Sequence, residues 1–127
     1  MNAHSTKDLA YLQLLRELDR RLAQSDFLSF YMRMTGFSPP KHIRVMCKVA
    51  QALEDDIIDR AMIFAPPRHA KTLLFSELLP AWIMGRHPKT SLMSVMHTGR
   101  FAAKTGRKVR NLLTHQSWPF DLSLIHI

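Results

Sequence analysis

The chain has 127 residues, 46% of them hydrophobic, with 18 Lys+Arg against 10 Asp+Glu and a formal charge of +8. That is room for one small domain with a core; it argues against wholesale disorder, and Gly 4 with Pro 7 excludes collagen-like or low-complexity material. No uncharged stretch nears the ~20 residues a bilayer crossing needs, the polar opening MNAHSTKD lacks the form of a signal peptide, and the lone Cys47 can form no internal disulfide, which suits a reducing cytosol.

In chain order, Ser5 with Asp8 has the form of a capping box. Leu9, Leu12, Leu15, Leu18 and Leu22 then recur at helical spacing and predict an amphipathic helix with those leucines in the core. Ser25 can cap a second helix carrying Phe27, Phe30, Tyr31 and Met34 on one face, with Gly36 just past its end. After the stiff Phe37-Ser38-Pro39-Pro40 connection, a third helix turns Ile43, Met46, Val49, Ala50 and Leu53 inward. The acids Glu54, Asp55, Asp56 and Asp59 lack the spacing of a cation loop and read as solvated.

Residues 61–65 and 91–97 are short apolar runs that read as strands buried on both faces of a parallel sheet. Residues 72–79 read as a helix, Pro80 as the first turn of another that stops near Gly85, and 98–114 as a basic helix. The expected fold class is therefore α/β. A helical lead-in (1–59) precedes a strand-helix-strand-helix order (60–121), the beginning of a parallel sheet. Residues 122–127, LSLIHI, match the in-frame translation of a transposon-end sequencing adapter and are set apart from fold reasoning.

The charge is asymmetric. Residues 1–59 carry eight basic and eight acidic side chains, whereas 60–127 carry ten basic and two acidic, Glu77 and Asp121. A phosphate-rich partner, nucleotide or nucleic acid, is the expectation. The sharpest motif is Ala65-Pro66-Pro67-Arg68-His69-Ala70-Lys71-Thr72, which ends like a phosphate-binding loop in Lys-Thr but has alanine at both glycine positions. Such a loop needs backbone N–H groups at a helix start, an ammonium for the β- and γ-phosphates, and a hydroxyl for Mg²⁺. His69, His87 and His97 show no metal spacing, and Trp82 reads as core.

Three ordered blocks widen the match: Pro66-Pro67-Arg68-His69 with Lys71-Thr72; Pro80-Ala81-Trp82 with Gly85-Arg86 and Pro88; and Gly106-Arg107-Lys108-Val109-Arg110. Together they resemble the ATPase end of tailed-bacteriophage terminase large subunits, the motors that package DNA. The resemblance runs over about residues 26–118 and includes the lead-in Phe37 to Pro40-Lys41-His42.

The resemblance implies the truncated first half of a P-loop NTPase parallel sheet over residues 60–121, and an ATP- and Mg²⁺-binding enzyme with Lys71 and Arg68 as catalytic residues. Pro66, Pro67, Arg68, His69, Ala70, Lys71, Thr72 and His42 would bind ATP, and Thr72 would ligate Mg²⁺. It implies double-stranded DNA, the small terminase subunit, the portal and procapsid, and further copies of the chain as partners. No membrane is involved, and the location is the bacterial cytoplasm, with transient docking on the procapsid. The Walker B acids and the nuclease acids of that family are missing, so the chain itself is expected not to turn over ATP. A helicase-like P-loop ATPase and a non-enzymatic module binding nucleic acid through Arg100, Lys104, Arg107, Lys108 and Arg110 are the alternatives.

Overall fold

A computed structural model describes residues 3–66 and 71–120. Five α-helices follow one another: α1 (Ala3–Ser25), α2 (Phe27–Thr35), α3 (Lys41–Glu54), α4 (Leu79–Arg86) and α5 (Gly99–Leu113). A π-helical segment, Leu73–Leu78, leads directly into α4.

Local chemistry explains most of the boundaries. Asp26, not Ser25, caps α2: its carboxylate accepts from the Ser29 N–H at 3.2 Å. Gly36 ends the helix at φ 74°, a conformation other residues adopt only with strain. Thr98 caps α5 by accepting from the Phe101 N–H at 3.2 Å. Pro80 sits in the first turn of α4, immediately after the π segment. Proline lacks an N–H and crowds the carbonyl four residues back, and the wider π turn relieves that crowding without ending the helical run.

The core lies where α2, the π segment and α4 meet. Phe27, Phe30, Leu74, Leu78 and Trp82 are fully buried. The Phe27 ring packs 5.3 Å from that of Trp82, and Phe30 meets Trp118 edge-on at 5.7 Å. The chain after α5 folds back beneath α2, where Arg33 Nε donates to the Ser117 carbonyl at 2.6 Å and Gln24 donates to that of Pro119 at 2.7 Å. Gln51 of α3 clasps the α1–α2 junction, donating to the Ser25 carbonyl and accepting from the Phe27 N–H.

The fold class is a correction. Among the described residues there is no strand and no sheet, so the expected α/β fold with a truncated P-loop parallel sheet is overturned by an all-helical structure. Residues 61–65 and 91–97 carry no ladder, and Met62, Phe64 and Met93 are 83%, 86% and 90% exposed. A strand exists only when a neighbour supplies the other half of its hydrogen bonds, and no described segment pairs with either run.

A second correction concerns α1. Leu9, Leu12, Leu15, Leu18 and Leu22 are 43–57% exposed, because α1 packs only through its C-terminal end, where Ala23 is fully buried. Ser5 lies inside this helix rather than at its start. The acidic cluster divides: Asp55, Asp56 and Asp59 are exposed, but the Glu54 side chain is buried. The residues set apart at 122–127 lie outside the described residues.

Candidate nucleotide site

Lys71 and Thr72 lie in a helical run that is continuous over the described residues 71–86. Thr72 has helical backbone angles, φ −64° and ψ −44°, and its hydroxyl makes no capping bond. Both side chains are exposed, and neither has a hydrogen-bond or ion-pair partner among the described residues. Among the described residues, the ammonium and the hydroxyl are thus both unpaired. They border a cavity of about 300 Å³ walled by Leu53, Ala61, Ile63, Phe75 and Ser76.

A larger cavity of about 840 Å³ adjoins it, and Ile63 lines both. Its walls come from the start of α3 and from the extended segment before the loop, including His42, Val45, Val49, Met62, Phe64 and Pro66. His42 is exposed at this cavity. Four of the expected site residues, His42, Pro66, Lys71 and Thr72, therefore fall on two neighbouring cavities. Pro67, Arg68, His69 and Ala70 lie outside the described residues.

The site's chemistry is cationic at one end and apolar at the other. The wide apolar cavity can take a flat heteroaromatic ring, and the Lys71 end can take a phosphate. Thr72 offers a single oxygen, whereas Mg²⁺ takes six. No group of three His, Cys, Asp or Glu side chains able to hold a metal occurs among the described residues. These residues suit an ion carried in by phosphate oxygens and water rather than one held by the protein alone.

Two charge clusters lay beyond the sequence reading. Glu77, four-fifths of the way through the π segment, is buried and meets Lys108 Nζ of α5 at 3.3 Å. Glu54, at the end of α3, meets His87 Nε2 at 2.7 Å and Arg86 Nη1 at 3.5 Å, and the Arg86 guanidinium lies 4.7 Å over the Trp82 ring. These Glu54 contacts are close in distance but not aligned as hydrogen bonds. Glu77 carried one signal in the sequence: it is the only acid between Arg60 and Phe120.

No protein-family model matches the chain, and neither a curated protein nor a solved structure matches it. No described helix is long and apolar enough to cross a membrane.

Proposed function

We propose that the chain is the nucleotide-binding front of a tailed-phage terminase large subunit, binding ATP with Mg²⁺ within a longer parent that packages double-stranded DNA. The observation that carries the reading is that Lys71 and Thr72, both exposed and without a partner among the described residues, line one cavity in a helical segment next to a large apolar cavity. The three motif blocks support it from the sequence. The reading does not rest on a parallel sheet.

Bound ATP would supply a transferable phosphoryl group. The chain's own part is to hold it. Lys71 meets the β- and γ-phosphates as a point charge, and Thr72 contributes one oxygen to Mg²⁺. Val45, Val49 and Phe64, beside His42, wall the pocket for the base. Arg68 senses the γ-phosphate. Hydrolysis further requires an acid to orient water, and the nearest acid in sequence, Glu77, is already engaged by Lys108. The chain binds nucleotide without turning it over. In the parent, the small subunit, the portal and procapsid and further copies are the partners, in the cytoplasm of a bacterial host.

Fluorescent-ATP titration with Mg²⁺ tests this reading. Lys71→Ala is expected to weaken binding at least about tenfold, the scale of one charge-assisted phosphate contact. Ala70→Gly is expected to bind normally and Ala70→Val poorly, since a branched side chain would stand where phosphate must lie. Unchanged affinity in Lys71→Ala overturns the reading. Phosphate release that depends on Lys71 overturns the claim that the chain alone is inactive.

A further inference from the structure

The outward face of α5 is built for one sign of charge. Residues 78–120 contain no Asp or Glu, and α5 itself carries five cations. Its inward side holds Thr105 and Leu113, both buried, with Val109 and Leu112 half-buried. At 3.6 residues per turn, Arg100, Lys104 and Arg107 fall within an arc of about 60° directly opposite that side. All three are exposed and have no ion-pair or hydrogen-bond partner among the described residues. They span about 10 Å along the axis.

The two other cations of the helix differ. Lys108 is held by the buried Glu77, and Arg110 stands about 60° beyond the edge of the arc. The five-residue basic stretch of the sequence thus resolves into a three-residue face.

We propose that Arg100, Lys104 and Arg107 form a docking surface for the phosphate backbone of duplex DNA, read without regard to sequence. Asn111 extends the same arc one turn further and Ala103 borders it about 40° beyond Arg107, so the face lacks the apolar centre a protein interface needs. It also lacks an aromatic platform: Phe101 falls about 60° outside the arc, against the His97 ring, and single-stranded nucleic acid is held largely by stacking. Cations that meet phosphates position a duplex but do not specify its sequence. The choice of DNA over RNA rests on the packaging reading above.

The test is fluorescence anisotropy of the 127-residue chain on a 30-base-pair DNA duplex across a salt series. Three phosphate contacts contribute about −2.7 to the slope of log K against log salt, or about a 40-fold loss of affinity between 50 and 200 mM. Arg100→Ala/Lys104→Ala/Arg107→Ala is expected to remove that part of the slope, with helicity by circular dichroism unchanged. Lys7→Ala/Arg16→Ala/Lys48→Ala, which removes equal charge from exposed positions on α1 and α3, is expected to retain it. Lys108→Ala is expected to alter the slope by less than about 0.3.

Equal losses in the two triple variants, or a slope unaltered by the α5 variant, overturn the proposal. A Lys108→Ala loss as large as that of Arg107→Ala overturns the three-residue assignment. Scrambled duplexes are expected to compete equally, and single strands or duplex RNA of equal charge more weakly; equal competition by either overturns the choice of duplex DNA. If nucleotide binding survives Lys71→Ala while the slope behaves as expected, the ATPase reading falls and the DNA surface stands. If the slope fails and Lys71 matters, the reverse holds.

Discussion

The indole N–H of Trp82 donates to the main-chain carbonyl of Ala23 at 3.0 Å, joining α4 to the last turn of α1 in the dry centre of the fold. That carbonyl is among those a helix end leaves without an intrahelical partner, and a side chain 59 residues away supplies the bond. Trp82→Phe keeps much of the ring but strands the carbonyl, at an expected cost of about 1–3 kcal/mol. Trp82→Ala also opens a cavity beside Phe27, for about 3–5 kcal/mol. Urea denaturation of the three proteins checks the order; a Trp82→Phe variant as stable as the parent removes the hydrogen bond's role.

Lys108 and Glu77 differ in exposure, 54% against 8% for the side chains, so removing one is not equivalent to removing the other. Lys108→Ala leaves a buried carboxylate without its cation and is expected to destabilise by about 1–3 kcal/mol. Glu77→Gln/Lys108→Ala is expected to recover part of that loss. Thermal melts of the single and double variants give the coupling directly, and additive losses would show that the pair does not interact.

At Gly85 the constraint is space, not backbone angle. A Cβ there would fall inside contact distance of three carbons of the Phe120 ring. Gly85→Ala is expected to cost about 1–3 kcal/mol through overpacking, despite alanine's better helix propensity. Phe120→Leu, which narrows the obstacle, should make the same alanine cheaper. A Gly85→Ala protein that melts above the parent would show that the ring moves aside freely.

Burial, with a smaller contribution from the Asp26 charge, raises the Cys47 thiol from 9.0 to about 12. The folded chain therefore holds a proton that the unfolded chain releases above pH 9. Stability from this group is complete below pH 9 and is lost as pH rises towards 12. The parent is expected to lose melting temperature between pH 9 and 11 faster than Cys47→Ala, whose alkaline decline comes from other groups alone. Parallel slopes would contradict this. The native thiol should also react slowly with disulfide reagents, being both neutral and buried.

Much of the helical structure was legible in the residues. The aromatic face of α2 and the inward set of α3 followed from 3.6-residue periodicity, and Gly36 and Thr98 marked helix ends by local chemistry that needs no distant partner. The candidate site was legible as residue types: Lys71-Thr72 in the loop pattern, and His42 through the family lead-in. That His42 and Pro66 share one cavity, joined at Ile63 to that of Lys71 and Thr72, is long-range geometry which spacing does not encode.

The sequence by itself determined most of where this chain is helical, the end of α2 at Gly36, the start of α5 at Thr98, and that its excess of positive charge lies in residues 60–127. Those properties depend on neighbours within one or two turns. Only the tertiary structure decided which of the apolar stretches are covered and which are not. It buries Trp82 and Phe27 and leaves the leucines of α1 and the runs at 61–65 and 91–97 in the open. An apolar pattern states what a residue would gain by burial; whether another segment arrives to bury it, or to complete a strand's hydrogen bonds, depends on partners far along the chain. The same holds for charge. Only packing singled out Lys108, among the five cations of α5, as the one held by Glu77.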